Sequence, residues 1–127
     1  MEKPPKITDA EWTVMKILWK NQKCTSSDII NELSGSKDWS PTTIQTLISR
    51  LVEKKAIGYQ KVGRTHHYYP LVTETNCLKE ERQTFLKRLY DGSLSSLMAG
   101  FLEDEKLTPD EINRLDSLLE KYKKQKE

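Results

Sequence analysis

The 127-residue chain is 35% hydrophobic and 31% charged with a formal net charge of +2, which fits one or two small globular domains and excludes a disordered polyelectrolyte. No apolar run reaches the roughly 18 residues of a membrane span, and the opening MEKPPKITDAEW has no apolar leader core, so a cytoplasmic location without membrane insertion is expected. Charge is unevenly placed: residues 1–72 carry a net +4 and residues 73–127 a net −2. The excess lies in 39–71, where Arg50, Lys54, Lys55, Lys61 and Arg64 face Glu53 alone, the footprint of a polyanionic partner or a chance cluster on a solvated surface.

Thr8 and Glu11 stand at capping-box spacing and open a first helix, TDAEWTVMKILWKN, whose Trp12, Met15, Leu18 and Trp19 form an apolar face. A short second helix, TSSDIINELSGS, is capped by Thr25 or Ser26, turns Ile29, Ile30 and Leu33 inward and ends at Gly35. Ser40 caps the third helix, with Pro41 at the first helical position, where a missing N–H costs nothing.

That third helix, SPTTIQTLISRLVEKK, has an apolar stripe of Ile44, Leu47, Ile48, Leu51 and Val52. Its opposite face carries Thr42, Thr43, Gln45, Thr46, Ser49, Arg50 and Glu53. Threonine and serine are poor helix formers for a merely solvated face. They suit a helix that must come close to base edges in a major groove, because short hydroxyl and amide groups permit approach and bond bases or phosphates. Arg50 fits a bidentate guanine contact or a phosphate clamp, Lys54 and Lys55 fit phosphates, and the N-terminus at Ser40–Thr43 offers an anion seat.

After Lys55 the texture becomes β-branched and aromatic. A strand over residues 57–62, a turn through Gly63, Arg64 and Thr65, and a strand over 66–71 form a hairpin. Three helices and a hairpin are the order of a winged helix-turn-helix, with Lys61 and Arg64 at the wing for the DNA backbone or minor groove. His66 and His67, adjacent on a strand, point to opposite faces, which argues against a shared metal. Tyr59, Tyr68 and Tyr69 read as packing residues; a platform for single-stranded bases is the weaker alternative.

Thr73 caps a fourth helix ending at Gly92, with Phe85, Leu86, Leu89 and Tyr90 on its second half. SLSSLMAGFLED repeats Leu94, Leu97, Met98, Phe101 and Leu102 at helical spacing. A second Thr-x-x-Glu box, Thr108 to Glu111, opens a sixth helix with Ile112, Leu115, Leu118, Leu119 and Tyr122. Three such helices are too little to enclose a core alone. The expectation is a mainly α protein: a winged helix over 7–72, a dimerisation region over 73–124 that forms a homodimer, and a tail over 125–127. The alternative is that these helices fold back on the first domain.

Catalysis finds no Gly-rich phosphate loop, GxSxG or HExxH, and Glu103, Asp104 and Glu105 read as surface charge. Cys24 and Cys77 lack metal or redox spacing and read as plain thiols, a redox pair being the alternative. No cofactor, metal or enzyme activity is expected.

ITDAEWTVMKILW, WSPTTIQTLISRLVEKKAIGYQKVGRTHHYYPLV and TFLKRLYDGSLSSLMAGFLED together resemble the penicillinase-repressor family (BlaI/MecI type) of bacterial transcription regulators, nearly end to end. The resemblance implies a dimer binding double-stranded palindromic operators of TACA/TGTA type and repressing β-lactamase or related resistance genes. It implies a membrane sensor protease as a further partner, whose signal leads to a cut in the C-terminal part. Carried over by position, the recognition helix is 41–55, with Thr43, Thr46 and Arg50 the foremost operator contacts. Some relatives have Lys at the place of Thr42, a phosphate contact this chain lacks. The family's Asn-Phe cleavage bond is matched here by Gly100-Phe101, and Gly100 has a second reading, close approach of two helices. The copper-responsive branch ends in CxC cysteines; this tail, LEKYKKQKE, has none. The competing functions are a winged-helix regulator of another operon, answering another signal without cleavage, and a protein–protein interaction module.

Overall fold

The computed structural model describes residues 3–104 and 106–126. Glu105 of the acidic trio and Glu127 of the expected tail lie outside them. The element order is α1 (Asp9–Asn21), β1 (Cys24–Thr25), α2 (Ser26–Leu33), α3 (Pro41–Glu53), β2 (Ile57–Val62), β3 (Thr65–Pro70), α4 (Glu74–Tyr90), α5 (Leu94–Asp104) and α6 (Pro109–Gln125).

The expected N-caps are built, although at Thr108 the described contacts include only the first half of the expected box, with no return bond from the Glu111 side chain. Thr8 and Glu11 form a reciprocal capping box on α1, and Thr25 with Asp28 forms another on α2. Ser40 accepts the Thr43 N–H of α3, Thr73 that of Asn76 on α4, and Thr108 that of Glu111 on α6. Each satisfies a donor that a helix start leaves open. At the far end of α4, Asp91 and Gly92 take positive φ and the Gly92 N–H returns to the Leu86 carbonyl, a Schellman-type stop.

The hairpin's second strand runs over Thr65–Pro70, one residue earlier than expected, because Val62 pairs with Thr65 and leaves a two-residue turn. Gly63 opens that turn at φ +65, where a side chain would be strained. Cys24–Thr25 adds a short strand that sequence reading missed; it pairs with Tyr68 and His67, giving the order β1-β3-β2. Two residues carry no periodicity, so only their partner strand identifies them.

The core of the winged helix is contributed by Val14, Met15 and Leu18 of α1, Ile29 and Leu33 of α2, Ile44, Leu47, Ile48 and Leu51 of α3, and Ile57 and Tyr68 of the hairpin. Trp12 and Trp19 lie at its edge, their rings 5.4 Å apart edge-to-face.

The chain divides into two compact units, residues 1–82 and 83–127. The division between these compact units falls inside α4, after Arg82. Cys77 is buried with the winged-helix core, and the Trp19 indole N–H donates to the Val72 carbonyl at 2.9 Å. Val72, through Trp19, and the first turns of α4, through Cys77, are therefore part of the first unit. In the second unit no residue of α5 or α6 is buried, and α6 continues as helix through Gln125 where a tail was expected to begin.

Candidate nucleic-acid interface

The outward face of α3 is open along its length. Thr42, Thr43, Gln45, Thr46, Ser49, Arg50 and Glu53 are all exposed, while Ile44, Leu47, Ile48 and Leu51 are buried. The stripe read from the sequence thus fixes which face looks outward. Local bonds then divide the hydroxyls. Ser40 Oγ accepts from the Thr43 N–H at 3.2 Å and lies 3.0 Å from Thr43 Oγ1. Thr46 Oγ1 donates to the Thr42 carbonyl at 3.0 Å, which leaves its methyl and lone pairs as the outward chemistry. At the anion seat, Pro41 has no N–H, that of Thr43 is capped and that of Ile44 donates to the Ser40 carbonyl, so the seat narrows to the Thr42 N–H.

The far end of α3 departs from expectation. Lys54 is turned inward: its ammonium donates to the Glu11 carboxylate and to the Lys6 carbonyl, the latter at 2.9 Å. Glu11 is 1% exposed. Burial pushes its carboxyl up, but the Lys54 hydrogen bond and charge and the Thr8 hydrogen bonds outweigh this and hold it below the usual range. In the free protein Lys54, expected at a phosphate, is thus engaged within the fold. Lys55 follows at φ +64, with its N–H on the Val52 carbonyl and the next N–H, of Ala56, on Leu51. This left-handed stop turns Lys55 to solvent.

The wing carries Lys61 on β2 and Arg64 at the turn, both exposed. Lys61 pairs across the hairpin with His66, whose ring stacks on Tyr59 at 4.5 Å between centroids. Tyr68 is buried beneath, as expected of a packing residue. Among the described residues Arg50, Lys55, Lys61 and Arg64 belong to no ion pair. The winged helix thus holds an exposed hydroxyl, amide and guanidinium face flanked by free cations.

A model of the family described as "Penicillinase repressor" matches residues 7–121. The chain belongs to the penicillinase-repressor family. Within it, the chain is 41% identical over 126 residues to the penicillinase repressor of Bacillus licheniformis, covering 99% of this chain and 98% of that one. It is 40% identical to the methicillin resistance regulatory protein MecI of Staphylococcus aureus (strain N315), covering 91% and 94%. Among solved structures, the monomeric form of Bacillus licheniformis BlaI in complex with the blaP half-operator matches at 43% identity and a TM-score of 0.53, over 60% of this chain and 93% of that one. The first unit is accordingly a winged helix, as its element order says. Penicillinase repressors are transcriptional repressors and not enzymes.

In the second unit, Phe85, Leu89, Leu94, Phe101, Leu118 and Leu119 are exposed, and Leu86, Tyr90, Leu97, Met98 and Leu115 are half-buried. A groove of about 770 Å³ between α5 and α6 is lined chiefly by Leu94, Met98, Leu102, Ile112, Leu115 and Leu119. Gly100 and Phe101 lie inside α5. A Cβ built on Gly100 meets nothing within 4 Å, so close helix approach within the protomer does not explain that glycine.

Proposed function

We propose that the protein is a dimeric, sequence-specific DNA-binding repressor of a β-lactamase or related resistance gene in the cytoplasm. The observation that carries this reading is the outward face of α3, where Thr42, Thr43, Gln45, Thr46 and Arg50 stand exposed beside Lys55, Lys61 and Arg64, which belong to no ion pair among the described residues. Arg50 reads a guanine, the hydroxyls touch base edges and thymine methyls, and Lys55 with the wing cations holds phosphates. The BlaI half-operator complex supports a duplex partner. The apolar face of residues 83–124 supports the homodimer, since its leucines are left half in water. A two-fold dimer presents two copies of α3 to a palindrome.

Induction by a membrane sensor protease cutting at Gly100-Phe101 completes the reading. Phe101 is 51% exposed, but the bond is helical, so cutting requires α5 to open locally. The test is binding of a TACA/TGTA palindrome and of a scrambled duplex across a salt series. Three phosphate-facing cations per protomer, Lys55, Lys61 and Arg64, predict a slope of log affinity on log salt of about −5 for the dimer. Arg50→Ala costs discrimination between the duplexes by about 1–3 kcal/mol. Equal affinity of the wild-type protein for both duplexes, or no duplex binding at low salt by a stable dimer, rejects operator reading and favours a protein–protein module.

A further inference from the structure

Lys54 stands one helical turn after Arg50, where a cation at the end of a recognition helix would face a phosphate. Its ammonium instead lies on the Glu11 carboxylate and the Lys6 carbonyl. The same carboxylate oxygen accepts the Thr8 N–H at 2.9 Å, so the end of α3 is tied to the start of α1 and to the segment before it. The Lys54 backbone N–H also donates to the Arg50 carbonyl at 3.0 Å, so the tie grips the turn that bears Arg50. Releasing Lys54 to a phosphate would leave the Glu11 carboxylate, 1% exposed, without its counter-charge and held by the Thr8 N–H alone. That penalty exceeds the return from one solvent-screened phosphate contact.

We infer that Lys54 is a positioning residue: with Glu11 it sets the pitch of α3 in the groove and so the aim of Arg50, while Lys55 takes the phosphate contact. This rests on the operator-reading function proposed above. Glu11, buried and acidic, cannot itself touch DNA, yet it becomes a determinant of operator discrimination.

The experiment measures affinity of the full chain for the TACA/TGTA duplex and for the scrambled duplex over a salt series, with Glu11→Gln, Lys54→Met and Lys55→Ala. Glu11→Gln keeps the shape and the oxygen that accepts from Thr8. Both Glu11→Gln and Lys54→Met are expected to lower discrimination at least about fivefold, the lower end of a lost base contact, and Lys54→Met to leave the salt slope unchanged. Lys55→Ala is expected to weaken both duplexes alike and to reduce the magnitude of the slope by about one per lost contact, two for the dimer. A phosphate-bound Lys54 reverses this. Lys54→Met would then reduce the slope, and Glu11→Gln, by freeing Lys54, would raise affinity for both duplexes. Either result overturns the inference.

Should a variant fail to fold, the wild-type protein still decides. The Lys54 ammonium should give a slowly exchanging NMR signal in the free protein that operator addition leaves in place; its displacement by DNA rejects the positioning role. A wild-type protein that binds the two duplexes equally removes the function on which the inference rests and overturns both. A discriminating wild-type protein whose Glu11→Gln variant discriminates equally well overturns the positioning role alone.

Discussion

Glu11 is the one buried charged residue among those described, and its burial is tolerable only because Lys54 and the Thr8 N–H meet the same carboxylate. Its pKa is held below the ordinary carboxylate value of 4.5, so the stabilisation is complete above that value and is lost as pH falls through the folded one. Thermal melts from about pH 7 to pH 3 should show a loss of stability that Glu11→Gln flattens. At neutral pH the same substitution should cost about 2–3 kcal/mol, less than a fully buried pair because Lys54 keeps some solvent access. Lys55 carries the opposite kind of tension. A β-carbon at φ +64 is disfavoured by about 1–2 kcal/mol, so Lys55→Gly should raise the melting temperature while weakening binding to any duplex. Burial pushes the Cys24 and Cys77 thiols up. Both should resist alkylation in the native protein and react on denaturation, consistent with the plain-thiol reading.

At the scale of the element, α3 shows how one sequence pattern does two jobs. Its stripe at i, i+3, i+4 and i+7 buries Ile44, Leu47, Ile48 and Leu51, and that burial alone turns the hydroxyl face outward. The wing depends on a single backbone requirement, the positive φ of Gly63; Gly63→Val should destabilise the hairpin by about 1–2 kcal/mol, read as lost protection of β2 and β3 amides in hydrogen exchange. In α5 the relevant residue is Gly100. A mid-helix glycine weakens the helix by about 0.5–1 kcal/mol relative to alanine, and the site has room for a methyl group. Gly100→Ala should therefore slow the cut at Gly100-Phe101 that the proposed induction requires, without weakening operator binding. A protease time course that runs equally fast on both proteins would reject local opening of α5 as the step that exposes the bond.

At the scale of the molecule, the two units differ in how they satisfy their own apolar surface. The first encloses a core drawn from all three helices and the hairpin, whereas α5 and α6 contain no buried side chain. Leu119, 62% exposed, and Leu94, 60% exposed, line an apolar groove, and covering it would stabilise the assembly by about 1.5–3 kcal/mol per leucine fully buried. Leu119→Asp should give monomers by sedimentation and reduce operator affinity, because two half-sites then bind independently. A monomeric wild-type protein at micromolar concentration would reject the dimer.

By itself the sequence determined whatever is written in local pattern: the capped helix starts at Thr8, Ser40, Thr73 and Thr108, and at Thr25 or Ser26, the stripe of α3, the glycine of the wing and the excess of cations over 39–71. Such features arise between residues a few positions apart, so spacing and side-chain chemistry suffice to read them. Only the tertiary structure decided that Lys54 turns from solvent to Glu11, that Cys24–Thr25 joins the sheet beside Tyr68 and His67, and that Val72, through Trp19, and the first turns of α4, through Cys77, belong with the winged-helix core. Each joins residues more than 40 positions apart, and a side chain that can reach either solvent or a buried carboxylate has the same sequence signature in both cases. The choice is made by the desolvation of a distant partner, a quantity that exists only once the chain has folded.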